Sequence, residues 1–109
     1  MLYWAIPESG EYVFSLNGPY SYGNKSFNKI GTVWFTDGNN NVLNYIRPNG
    51  GNYYTSGDRV SGFGDDKVTG SFINSQNGIK FNVIDTAVTN VYFTLFDSDG
   101  NGYGLWTAY

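Results

Sequence analysis

Apolar and polar residues alternate in short runs along this chain, and turn residues interrupt every run. Residues 2–6 form the first apolar run. Pro7-Glu8-Ser9-Gly10 follows as a turn, because proline presets φ and glycine permits positive φ. Residues 11–16 place Tyr12, Phe14 and Leu16 on one face and Glu11, Val13 and Ser15 on the other, so the first two runs predict a hairpin. Residues 17–29, rich in Gly, Ser, Tyr and Asn, predict a long surface loop carrying Tyr20, Tyr22 and Phe27.

Alternation resumes over residues 30–36, with Val33 and Phe35 opposite Thr32 and Trp34. Asp37-Gly38-Asn39-Asn40-Asn41 signals a turn, and residues 42–47 return as the second arm of a hairpin. Residues 53–66 are ambiguous. Residues 59–63 read as a short edge strand, while Gly57, Gly62 and Gly64 favour bulges or loop. Residues 67–74 and 79–84 flank the turn Ser75-Gln76-Asn77-Gly78, which contains the strongest two-residue hairpin signal in the chain. Val68 and Phe72 share one face of the first arm; Ile79, Phe81 and Val83 share one face of the second. Residues 90–96 turn Val91, Phe93 and Leu95 to one side. The segment 97–102 predicts another tight connection, and residues 103–109 a last strand.

No stretch keeps the helical spacing of apolar residues without interruption by Gly, Asn or Pro. The pattern therefore predicts one all-β domain over residues 1–109. Its expected form is an antiparallel, jelly-roll-like β-sandwich of about eight strands built from hairpins; the alternative is a small closed β-barrel. Phe14, Val33, Phe35, Phe72, Phe81, Phe93 and Leu95 are the expected core.

Composition sharpens this picture. Only 14% of residues are charged and the net charge is −3. The six cations, spread from Lys25 to Lys80, make no basic patch, which argues against nucleic-acid binding. No apolar run reaches the ~20 residues of a membrane helix, so no membrane insertion is expected, and the N-terminus does not read as a signal peptide. There is no cysteine and no histidine, so disulfides, thiolate chemistry and the commonest general base are all missing. Glu8 and Glu11 straddle a turn where both are expected to be exposed rather than to flank a scissile bond. The expectation is a protein that is not an enzyme and requires no cofactor.

A Ca²⁺ site is the one metal candidate. Asp97-Ser98-Asp99-Gly100-Asn101-Gly102 has the alternate oxygen ligands of an EF-hand opening, with Asp97, Asp99 and Asn101 as ligands. The bidentate Glu of an EF-hand is replaced by Ala108, so a true EF-hand is excluded. The simpler reading is a polar turn.

The aromatics carry the functional expectation. They make up 19% of the chain, more than one small core needs. Tyr and Trp combine an apolar face with a polar tip and are favoured at recognition surfaces. A pyranose has an apolar C–H face and a hydroxyl rim, so aromatic rings beside Asn side chains suit it. Tyr53, Tyr54, Asn49, Asn52, Trp34 and Trp106 are the candidate ligand-binding residues; against this, aromatics also favour strands and pack in cores. The resulting expectation is a non-catalytic, lectin-like module at a cell or virion surface that binds a glycan or cell-surface receptor. Two alternatives stand beside it. One is a structural, oligomerising or protein-binding β-domain of a fibre or capsid, which would bury the surplus aromatics between copies. The other is a small inhibitor presenting the acidic segment 58–66.

Overall fold

The computed structural model describes residues 2–47, 60–61 and 66–97. Among these residues there are nine β-strands and no helix. The strands are β1 (Leu2–Ala5), β2 (Gly10–Ser15), β3 (Tyr20–Tyr22), β4 (Lys25–Thr36) and β5 (Val42–Arg47), followed by β6 (Val60–Ser61), β7 (Val68–Ile73), β8 (Gly78–Val83) and β9 (Asn90–Asp97). They form two antiparallel sheets. The larger runs β1-β9-β4-β5-β6 with β3 also on β4; the smaller runs β2-β8-β7. The all-β, two-sheet architecture expected from the alternation is present.

The pairing corrects the first hairpin. β1 pairs with β9 and β2 with β8, so the two arms lie in opposite sheets. The Pro7–Gly10 turn carries the chain from one sheet to the other, with Gly10 at φ 137°. Both arms have an aromatic face, and these meet across the gap: Trp4 packs edge-on against Tyr12 and Phe14 at centroid distances of 5.1 and 4.8 Å. The β1–β2 ribbon thus lies along the β9–β8 ribbon and folds over with it, which is the rolled connectivity of a jelly roll.

The loop expected at residues 17–29 is also corrected. It contains β3 and the first part of β4, joined by a two-residue turn in which Tyr22 opposes Lys25. Gly23 takes φ 61°, the positive value that the first central position of a type II′ turn requires. Phe27, expected on that loop, is fully buried.

The core lies between the sheets. Ile30, Val33, Phe35, Val91 and Phe93 from the large sheet meet Val68, Ile79, Phe81 and Val83 from the small one. Phe14 and Phe72 pack against this cluster partly buried, while Leu95 is buried outside it. Each large side chain removed from water contributes roughly 1.5–3 kcal/mol, so this cluster is the main source of cohesion.

Strand β4 is buried on both faces. Thr32, Trp34 and Thr36, opposite the core face, are as inaccessible as Val33 and Phe35. The β4–β9 register shifts twice, between Phe27 and Lys29 and between Ile30 and Val33. Thr94 repairs the second break: its Oγ1 accepts from the Thr32 N–H at 2.8 Å and donates to the Thr32 carbonyl at 3.2 Å. A Cβ on Gly31 would stand 2.5 Å from the buried Phe96 ring, so only glycine lets that ring cross the strand here.

Candidate ligand-binding cleft

The two sheets leave an opening where β1 and β2 diverge. Neither edge pairs with another strand among the described residues, and an apolar cleft of about 220 Å³ lies between them. Tyr3 and Trp4 come from β1, Phe14 from β2, Leu16 from the segment after it, and Tyr20 from β3. Phe93 and Ile30 close the cleft on the core side, and Ser15 adds a hydroxyl. None of these side chains is charged.

Two of the rings are exposed. Tyr3 is 58% and Tyr20 47% accessible, among the largest apolar exposures of the described residues. Tyr3 ends an aromatic row that crosses the large sheet, where Tyr3 opposes Tyr92, Tyr92 opposes Trp34 and Trp34 opposes Tyr45. Trp34 and Tyr92 stack nearly parallel, 5.3 Å apart and 7° from coplanar orientation. Tyr3 leans on Tyr92 at 5.1 Å and 41°. Inside the row the rings cover one another; at its end Tyr3 is held on one side and open on the other. The neighbouring Trp4 is fixed by Tyr12 and Phe14. Tyr3 lies on the outer face of the large sheet with Tyr92 and Trp34, so of the two β1 rings it is Trp4, fixed by Tyr12 and Phe14, that faces the gap between the sheets.

The expected site residues fall differently. Trp34 is 2% exposed, with one indole face against Tyr92, because β4 is buried on both sides. Asn49, Asn52, Tyr53, Tyr54 and Trp106 lie outside the described residues. Of the calcium candidates, Asp97 is the last residue of β9, 6% exposed and opposite Phe27, so it belongs to a strand and not to a turn. Asp99 and Asn101 lie outside the described residues, among which no cluster of three metal-ligating side chains occurs. Tyr3 and Trp4 were hidden in the sequence because their strand reads as ordinary β-structure. Tyr20 was visible as a surplus aromatic, but nothing local places it beside β1.

A second depression, on the outer face of the small sheet, is polar. Glu11, Thr69, Ser71, Lys80 and Asn82 line it, with Glu11 and Lys80 paired at 3.7 Å. It offers hydroxyls and charges but no exposed ring, since Phe81 is 1% accessible.

Two carboxylates are held below the ordinary acid range, and neither lies at the cleft. Asp37 is lowered by the Asn41 N–H first, then by the Asn41 side-chain amide. Asp85 is lowered by the Ala87 N–H first and then by Lys67, whose Nζ is 3.3 Å away. Both serve to close turns.

No helix among the described residues is long and apolar enough to cross a membrane. No family model matches the chain, and no curated protein or solved structure matches it at a significant level.

Proposed function

We propose that this protein is a non-catalytic binding module of a cell or virion surface, and that a carbohydrate ring seats in the cleft between β1, β2 and β3. The observation that carries the reading is an uncharged opening whose aromatic wall, Trp4 against Phe14, is preset and whose rim carries the exposed Tyr20. A sugar ring can lay its C–H face on such a wall while its hydroxyls reach the Tyr20 phenol and Ser15. Rings already fixed by their neighbours lose little freedom on binding, which favours affinity for a small ligand. The cleft, at about 220 Å³, is below the roughly 300–1,000 Å³ of sites for drug-sized ligands, so it suits one ring of a glycan and not a long segment.

A broad glycan array, run with Ca²⁺ and again with EDTA, tests this. The expected outcome is selective binding that persists in EDTA and falls on the order of tenfold in Tyr20→Ala, the loss of one stacked aromatic contact. Binding abolished by EDTA would move the site to the segment with Asp97, Asp99 and Asn101. An array with no binding in either condition would overturn the reading.

Self-assembly is the second reading, and it also has an observation. β1 and β2 have open edges among the described residues, and Val13 on β2 is 56% exposed. Such edges can pair with a second copy. Sedimentation of the wild-type chain distinguishes the two: an obligate oligomer that buries Tyr3 and Tyr20 on assembly would favour this alternative. The inhibitor reading rests on residues 58–66, of which only Val60, Ser61 and Asp66 are described.

A further inference from the structure

The sequence contains four Asn–Gly pairs, at Asn17, Asn49, Asn77 and Asn101. Two are described, and they lie side by side: the Leu16 N–H donates to the Asn77 carbonyl at 3.0 Å. An asparagine followed by glycine can modify itself. The deprotonated backbone nitrogen of the glycine attacks the asparagine Cγ, an N–C bond forms, and the side-chain nitrogen leaves as ammonia. Water then opens the cyclic imide at either carbonyl and leaves aspartate or isoaspartate. The reaction consumes one water and releases one ammonia. It needs a side chain and a following peptide that can rotate towards each other, with no Cβ in the way.

The two neighbouring pairs differ in that freedom. Asn17 is exposed and lies between β2 and β3, outside any strand. Gly18 takes φ 121°, and nothing lies within 4 Å of where its Cβ would stand. Neither residue makes a hydrogen bond among the described residues. Asn77 is pinned on three sides. Its N–H donates to the Asn74 carbonyl at 3.1 Å, its carbonyl accepts from Leu16, and its Nδ2 donates to the Asn28 carbonyl at 3.3 Å. Gly78 begins β8 between β2 and β7, with its Cβ position 2.8 Å from the Phe14 carbonyl oxygen. Its peptide cannot turn towards the Asn77 side chain without opening both neighbouring strands.

We propose that Asn17 is a site of spontaneous deamidation in the folded protein and that Asn77, also followed by glycine, is protected by the fold. The product places a carboxylate next in sequence to Leu16 and three residues from Tyr20, both of which line the uncharged cleft. That consequence for ligand binding rests on the proposed role of the cleft; the modification itself does not.

The test is to hold the native chain at mildly alkaline pH and 37 °C and follow both peptides by mass spectrometry after digestion. Conversion at Asn17 is expected on the order of tenfold or more faster than at Asn77, because Asn77 reacts only after local opening. In urea sufficient to unfold the chain the two rates should come within a few-fold of each other, since the glycine that follows both asparagines sets the unfolded rate and the fold supplies the larger difference. Native conversion at Asn17 no faster than at Asn77 would overturn the proposal. So would a native rate difference that survives unfolding undiminished. Failure of the glycan array would leave these rates unchanged, so the two readings fail separately.

Discussion

Two asparagine-rich turns, Asp37–Asn41 and Asn74–Asn77, use similar residues in opposite ways. The first is closed by its own members. Asp37 Oδ1 accepts from the Asn39 and Asn41 N–H groups, both at 2.9 Å, and Oδ2 accepts from Asn41 Nδ2 at 3.1 Å. The second holds three successive non-glycine residues at positive φ: Asn74 at 53°, Ser75 at 54° and Gln76 at 67°. Such geometry costs roughly 1–2 kcal/mol per residue, so something outside the turn must offset it. The partners lie on β4. Gln76 Nε2 donates to the Ile30 carbonyl at 2.7 Å, and the Ile30 N–H donates to the Gln76 carbonyl at 2.8 Å. Lys29 Nζ reaches the Ser75 carbonyl at 3.0 Å. The turn occupies the stretch of β4 where the β9 ladder is broken. The first turn is thus closed mainly from within, with Tyr92 Oη donating to Asn40 Oδ1 at 3.3 Å and Asn90 Nδ2 to the Asp37 carbonyl at 3.5 Å as ties to β9, whereas the second is a tertiary joint between the two sheets.

Gln76→Ala should separate the two most sharply. It removes a side chain that is 3% exposed, leaves the buried Ile30 carbonyl without that donor, and withdraws the support for the left-handed geometry. A loss of about 3 kcal/mol is expected, read as the shift in urea midpoint at constant slope. A loss no larger than that of an exposed turn substitution would refute the joint. Gly78→Ala comes next, at about 2 kcal/mol. The added methyl would meet the Phe14 carbonyl oxygen, which belongs to a paired strand and has little room to move.

The contrast also explains what the sequence could and could not reveal. The strands expected at residues 79–84 and 90–96 are present as β8 and β9 because Ile79, Phe81, Val83, Val91 and Phe93 alternate towards the core, and that alternation is local; Leu95 lies outside the core cluster. The Asp37 turn was legible for the same reason. The turn expected at Ser75-Gln76-Asn77-Gly78 is displaced by one residue: Ile73 opposes Gly78, and the loop is residues 74–77. There, docking of Gln76 on Ile30 outweighs the preference of the dipeptide. The Gly23-Asn24 turn had a signal of its own, obscured by the polar stretch around it. Pairing of β1 with β9 had none, because the choice between a hairpin and a fold-over depends on which aromatic faces meet across the sheets. The cleft shares that fate: Tyr20 is distant in sequence from Trp4 and Phe14, and the three meet only because β1 and β2 fold into opposite sheets.

The local turn should give the smaller effects. Asn40→Ala should cost about 1 kcal/mol, because Asn40 sits at φ 65° and alanine tolerates that region less well. Acid should act through Asp37. Its carboxyl is held below the ordinary value near 4 by the Asn41 N–H and amide. A group with a depressed folded pKa contributes stability that is present above its unfolded value and is lost as pH falls through the folded one. Asp37→Asn should therefore lower the urea midpoint at pH 7 and reduce the further drop between pH 5 and pH 2, leaving Asp85 as the remaining shifted carboxylate among the described residues. Because Asp37 is solvent-accessible, the change should also shrink at high salt. If Asp37→Asn left the acid sensitivity of the midpoint unaltered, the Asp37 turn would be held by backbone bonds alone. It would then differ from the Asn74 turn only in where its partners lie.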